Sequence, residues 1–194
     1  MAKSLFAAAL LIAWCVGCNK PETRPAGRSI PTKEFTAESG DLKFVFRYPA
    51  EWELVPEAPK NATLGIALVP ADKEPGTRIE YLLLDGADAK QAIADLPLIP
   101  NSATTAGKAQ VEVGGHQFYR TEWYGDVPGT PIYRHYACLD GAVGNRFVSL
   151  RCFTTATTGK GSEGSERFEK WRKIFAAVLS SAVIEHKGQE LAAY

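Results

Sequence analysis

The sequence predicts an α+β fold: a central antiparallel β-sheet covered by helices, closed by a long C-terminal helix. Three observations predict it. Leu42, Phe44, Phe46 and Tyr48 alternate with Lys43, Val45 and Arg47, the period-two pattern of a strand with one face in a core. Gly114-Gly115 separates two strand-like runs, a strong hairpin signal. Phe168, Trp171, Ile174, Phe175, Val178, Leu179 and Ala182 form an apolar stripe at spacings of three and four, the mark of an amphipathic helix. Strands joined by hairpins, with few helices between them, argue for an antiparallel sheet with helical cover.

The elements follow in order. Pro49 lacks a ladder donor and ends the first strand, and Trp52 and Leu54 restart an alternating run after a tight corner. Ala62–Val69 reads as a strand closed by Pro70 and a turn-rich Ala71–Gly76, and Arg78–Leu84 as the next strand. Asp85 is placed to cap a short helix carrying Ala89, Ala92, Ile93 and Leu96 at helical spacing, with Asp88 in the first turn and Pro97 and Pro100 as stops. Lys108–Val113 and Gln117–Tyr124 flank the glycine pair, and Ile132–Leu139 and Arg146–Thr154 form a second hairpin around Asp140–Asn145. Thr155–Gly164 is a polar, glycine-rich loop. In the last helix, Glu166–Lys170 and Glu169–Lys173 are spaced as favourable i,i+4 pairs.

The N-terminus carries an address. Lys3 is followed by the ten apolar residues Leu5–Trp14 and then by Cys15-Val-Gly-Cys18, the layout of a secretory signal. The apolar run is shorter than the roughly 20 residues that span a bilayer. Gly17 directly before Cys18 resembles the lipobox of bacterial lipoproteins, although Cys15 stands where that family usually has leucine. The resemblance implies cleavage before Cys18 and attachment of diacylglycerol to its thiol, so that residues 1–17 are a signal peptide. Several acyl chains hold a protein firmly, since each buried CH₂ adds about 0.8 kcal/mol. Asn19, rather than aspartate, implies the outer membrane, facing the periplasm, by the sorting rule of enteric bacteria. Residues 18–34 hold three prolines and one large apolar residue and read as a flexible tether, with a single domain over 35–186 and a tail over 187–194.

Composition bounds the function. Of 194 residues, 45% are apolar and 23% charged, which is ordinary for a folded domain with a real core. The formal net charge is zero, so there is no electrostatic footprint for nucleic acid. Removing residues 1–17 takes away Lys3 alone and leaves 21 basic against 22 acidic residues.

Chemistry-bearing residues are sparse. His116, His135, His186, Cys138 and Cys152 show no Cys-x-x-Cys or His-x-x-x-His spacing, and His135 and Cys138 point to opposite faces of a strand, so no metal or cofactor is expected. Cys138 and Cys152 lie on neighbouring strands of one hairpin, and an oxidising envelope favours a disulfide between them. With a turn centred on Asn145 the two are opposite each other. With a two-residue Gly144-Asn145 turn the register slips by one and the sulfurs face opposite sides. Thr158–Ser162 departs from a phosphate loop because Gly161 follows Lys160, and Ser149 has no nucleophile elbow around it. Glu51/Glu53 and Glu122/Asp126 read as surface carboxylates. The remaining constellation is aromatic: Phe118, Trp123, Tyr124 and Tyr133, with Tyr119 and Tyr136, crowd two strands around Gly125–Pro131. Alternation puts Tyr119 and Trp123 on one face and Phe118 and Tyr124 on the other. Such a cluster is either core packing or an interaction surface.

The Phe44–Trp52 run with its Tyr48-Pro49…Trp52 corner, the Gly-Gly hairpin and the Trp171-containing helix together resemble the PsbP/Mog/DcrB family over residues 36–186. The resemblance implies a central antiparallel sheet between helices. That family spans a photosystem extrinsic subunit, a Ran-binding protein and bacterial envelope lipoproteins, and it shares no catalytic residues, so no site is carried over. The expectation is a lipid-anchored, non-catalytic envelope protein, held to the membrane through Cys18, whose domain binds a protein or assists assembly. The alternatives are a small-ligand-binding module using the Trp123–Tyr133 region and, less favoured, an envelope hydrolase.

Overall fold

The computed structural model describes residues 30–55, 63–72, 76–94, 96, 99–101, 103–126, 132–157 and 162–186. The stretches read from sequence as signal peptide, lipidation site Cys18 and tail, most of the expected tether, and residues 127–131 and 158–161 lie outside these residues.

The small sheet contains β1 (Thr32–Ser39), β2 (Leu42–Pro49) and β10 (Val183–His186), with β2 in the middle and both neighbours antiparallel to it. The first folded strand therefore begins at Thr32, inside the stretch expected to be tether. The large sheet has seven antiparallel strands: β3 (Glu53–Val55), β4 (Leu64–Val69), β5 (Arg78–Asp85), β6 (Ala103–Val113), β7 (His116–Asp126), β8 (Ile132–Val143) and β9 (Arg146–Thr157). Their spatial order is β3-β4-β5-β9-β8-β7-β6. Two helices complete the described residues, α1 (Gly86–Ala94) against β5, β8 and β9, and α2 (Ser162–Ser180) against β2, β8 and β9.

This corrects the expected fold class. The fold is mostly β, and the large sheet is not sandwiched between helical layers. Much of its cover is the small sheet, and α2 does not close the chain, because β10 follows it and returns to β2. The physical reason lies in β2. It buries Leu42, Phe44 and Phe46 on one side, and Tyr81 of the large sheet packs against both phenylalanine rings, so that sheet meets sheet there.

One continuous core lies between the layers. Tyr81 of β5 meets Phe44 at 5.0 Å and Phe46 at 6.3 Å between ring centroids, while Trp52 packs edge-on against Trp171 of α2 at 5.6 Å. The Tyr48–Trp52 corner is closed by the Trp52 amide donating to the Pro49 carbonyl at 3.0 Å. Trp171, Ile174, Phe175, Val178 and Leu179 of α2 are all buried. Its exposed Glu169 pairs with Arg172 at 3.0 Å rather than with Lys173, a spacing of three instead of four. Among the described residues, no helix is long and apolar enough to cross a membrane.

Candidate functional site

Because the strands of the large sheet pair antiparallel, with a register shift in the β6–β7 pair between Ala103 and Thr105, side chains elsewhere stand in straight rows across it. One row on the outer face, away from the small sheet, runs Arg78, Phe153, Tyr136, Trp123 and Ala106, each opposite the next. The Arg78 guanidinium lies 5.4 Å from the Phe153 ring centre. Phe153 meets Tyr136 at 5.0 Å, and Tyr136 stacks on Trp123 at 5.6 Å. Arg78, Phe153, Tyr136 and Trp123 of this row form one wall of a cavity of about 430 Å³, whose lining includes Arg134 and Thr155 from the next row out. Among the described residues, the buried Trp123 indole nitrogen has no hydrogen-bond partner. Burial, with Cys138 and Asp140 nearby, raises the Tyr136 phenol far above its ordinary value, so it remains a neutral donor.

Beside the aromatic row, in the next two rows of the same face, is a largely buried polar cluster. Asp140 accepts hydrogen bonds from Cys138 Sγ at 2.8 Å and from Ser149 Oγ. Arg151 Nε donates to Ser149 Oγ at 2.7 Å. Asp140 is 1% exposed, and Ser149 and Cys138 are wholly buried. Burial, and then Asp140, push the Cys138 thiol up to about 12, and burial raises Cys152 well above its ordinary value. Both stay protonated at neutral pH, whereas the thiolate is the reactive species. The Ser149–Asp140 pair has no imidazole between its members.

The hairpin register decides the fate of the cysteines. Val143 pairs with Arg146 around a two-residue Gly144-Asn145 turn, so Cys138 faces Arg151 and Cys152 faces Ala137. The thiols point to opposite faces and are unbridged, the second of the two registers left open by the sequence. Asp140, read from sequence as the start of a turn, lies inside β8.

The four residues expected to form one interaction surface are not brought together. Phe118 is fully buried against Gly141, where a Cβ would come within 2.5 Å of its ring, so it is core. Tyr124 and Tyr133 lie on the α2 side of the sheet, 6.3 Å apart, and Trp123 alone lines the cavity. The sequence reading missed Arg78 and Phe153 as members of that site. They come from strands remote in sequence, and only the row joins them.

On the α2 side, His135 is 2% exposed, packs on Phe175 at 5.4 Å and contacts Glu122 at 3.1 Å. That hydrogen bond holds the Glu122 carboxyl below its ordinary value of 4.5. An acid depressed in the folded state adds stability that is complete above its unfolded value and is lost as pH falls through its folded value. In urea melts, the stability gap between the natural chain and Glu122→Gln is therefore expected to hold above about pH 4.5 and close below it. A gap that persists unchanged to about pH 2.5 would show that the pair is not responsible. Among the described residues, no three of the histidine, cysteine, aspartate and glutamate side chains cluster closely enough to hold a metal ion.

No protein-family model matches the chain, and no curated protein matches it. Solved structures do. Cyanobacterial PsbP (CyanoP) from Synechocystis sp. PCC 6803 is similar with a TM-score of 0.50 at 12% identity, over 81% of this chain and 95% of that one. LpqN, involved in cell envelope biogenesis of Mycobacterium tuberculosis, gives a TM-score of 0.45 at 13% identity, over 79% of this chain and 91% of that one. A structure from Bacteroides thetaiotaomicron VPI-5482 gives 0.42 at 18% identity, over 81% of this chain and 49% of that one. At such identities the likeness to CyanoP speaks for the fold alone. The chain has a PsbP-like fold.

Proposed function

We propose that this protein is a lipid-anchored, non-catalytic binding domain of the bacterial cell envelope, attached through Cys18 and presenting the surface around Trp123 to a partner protein. The anchor is supported by Lys3, the apolar run Leu5–Trp14 and the Gly17-Cys18 junction. Asn19 supports an outer-membrane location facing the periplasm, and residues 18 to about 31 supply the tether to a domain that starts at β1. The observation that carries the binding reading is a contrast. The groups with chemical potential, Cys138, Asp140 and Ser149, are sealed away, while the aromatic row borders an open cavity. Aromatic residues and arginine are the side chains that most often anchor interfaces.

Two experiments test this. Cys18→Ala is expected to leave the precursor uncut and unlabelled by a radioactive fatty acid, and continued labelling would refute the anchor. Crosslinking pull-down of the native protein is expected to capture one envelope protein, with recovery falling at least about tenfold in Trp123→Ala, the scale of an interface hot spot. Unchanged recovery with the folded variant would remove Trp123 from the interface.

A second reading, a small-molecule site, is favoured by one observation: the cavity volume falls within the range of ligand pockets. An anionic, planar ligand would suit the Arg78 and Arg134 guanidiniums and the flat Trp123–Tyr136 wall. Such a ligand would change the emission of the natural protein and leave that of Trp123→Phe unaltered. No change across a panel of aromatic carboxylates would count against this reading.

A further inference from the structure

The outer edge of β6 ends the seven-stranded order, and no described strand pairs with it. It is eleven residues long and free of proline, and Thr105–Gln110 are exposed without a break. Long, uncovered edges of this kind invite pairing with another strand.

The turn beside it fixes which backbone groups point outward. Gly114 and Gly115 both have positive φ, at 57° and 78°, as a two-residue hairpin turn requires. Val113 and His116 then form the hydrogen-bonded pair that closes the turn, and alternation carries the same role to Val111, Ala109 and Gly107. The amides and carbonyls of Ala106, Lys108, Gln110 and Glu112 therefore face solvent.

These residues are self-complementary. Lys108 and Glu112 are the only charged residues of β6 and stand two positions either side of Gln110 on one face of the sheet. We infer that β6 pairs antiparallel with β6 of a second copy about a two-fold axis through Gln110. In this register each outward-facing residue meets another, so that every outward amide donates to an outward carbonyl; Gln110 faces its equivalent, and Lys108 lies opposite Glu112 of the second copy at both ends. Ala109 and Val111 meet on the other face and extend a small apolar strip. The two large sheets become one continuous sheet of fourteen strands, twice the seven of one chain. Opposite charges directly across an antiparallel pair stabilise it, and like charges destabilise it. This inference is independent of what the Trp123 cavity binds.

The test uses the full chain in detergent. Gln110→Cys is expected to give a reducible covalent dimer on mild oxidation, because hydrogen-bonded partners sit about 5.5 Å apart, within disulfide range. Thr36→Cys, exposed on the edge of the small sheet, is expected to stay monomeric under the same treatment. Lys108→Glu alone and Glu112→Lys alone each place like charges at both ends and are expected to weaken self-association at least about tenfold by sedimentation. An equimolar mixture of those two chains restores both opposite-charge pairs and is expected to recover the natural affinity. The inference is overturned if the natural chain sediments as a monomer at about 100 µM, if the mixture fails to recover, or if Gln110→Cys in cells crosslinks to a different protein instead.

Discussion

Asp140→Ala is expected to lower the free energy of unfolding by about 3–5 kcal/mol, the cost of removing one partner from a buried charged network. The carboxylate accepts from Cys138 and Ser149, and the Arg151 guanidinium sits 3.9 Å away. Without it, the Ser149 hydroxyl and the Cys138 thiol are buried donors with no acceptor, and a half-buried cation loses its counter-charge. Asp140→Asn keeps the volume and one acceptor oxygen, so it should fall between the natural chain and alanine. Urea denaturation followed by circular dichroism measures all three. A loss under about 1 kcal/mol for alanine would mean that the cluster is not integral to the sheet.

Phe44→Ala is expected to cost a similar amount, about 3–5 kcal/mol, through a different mechanism. Phe44 has no exposed surface and sits between the two sheets, against Phe46 at 6.2 Å and Tyr81 at 5.0 Å. Truncation opens a cavity at the seam that β1 and β10 cannot close without sliding along β2. Val183→Ala, on the same small sheet but 46% exposed, is the control and should change stability by less than about 0.5 kcal/mol. Equal losses for the two variants would show that the seam is not where the small sheet is held.

Much of the local structure was legible in the sequence, because strong periodicity and turn residues are local signals. The alternation of Leu42–Tyr48, the Gly114-Gly115 turn and the stripe from Trp171 to Leu179 correspond to β2, the β6–β7 turn and the buried side of α2. The second layer was not legible. β1 buries only Ala37 fully, and the rest of Thr32–Ser39 reads as polar linker because an edge strand leaves most residues in solvent. β10 has four residues, too few to show a period. With both strands unread, helices were the only available cover for the sheet, and the fold class followed that error.

The site was half legible for the same reason. Trp123 and Tyr136 stand out as aromatics, yet their neighbours Phe153 and Arg78 are supplied by β9 and β5, which the chain order does not place beside β7. Asp140-Gly141 has turn chemistry but stays extended, because Asp140 is held by Ser149 across the ladder and Gly141 makes room for the Phe118 ring. Tertiary packing overrode the local preference, and the hairpin lengthened until the register separated the cysteines.

The place of β2 between β1 and β10 also governs how the protein can be made. Val183–His186 pairs with Leu42–Val45 across some 140 residues of intervening chain, as the Lys43–Glu185 bridge shows. A nascent chain emerging in order leaves one edge of β2 unpaired over Leu42–Val45 until Val183–His186 returns to it. Contacts of such sequence separation form late and slowly. During that interval the open edge of β2 is a template on which another strand can pair.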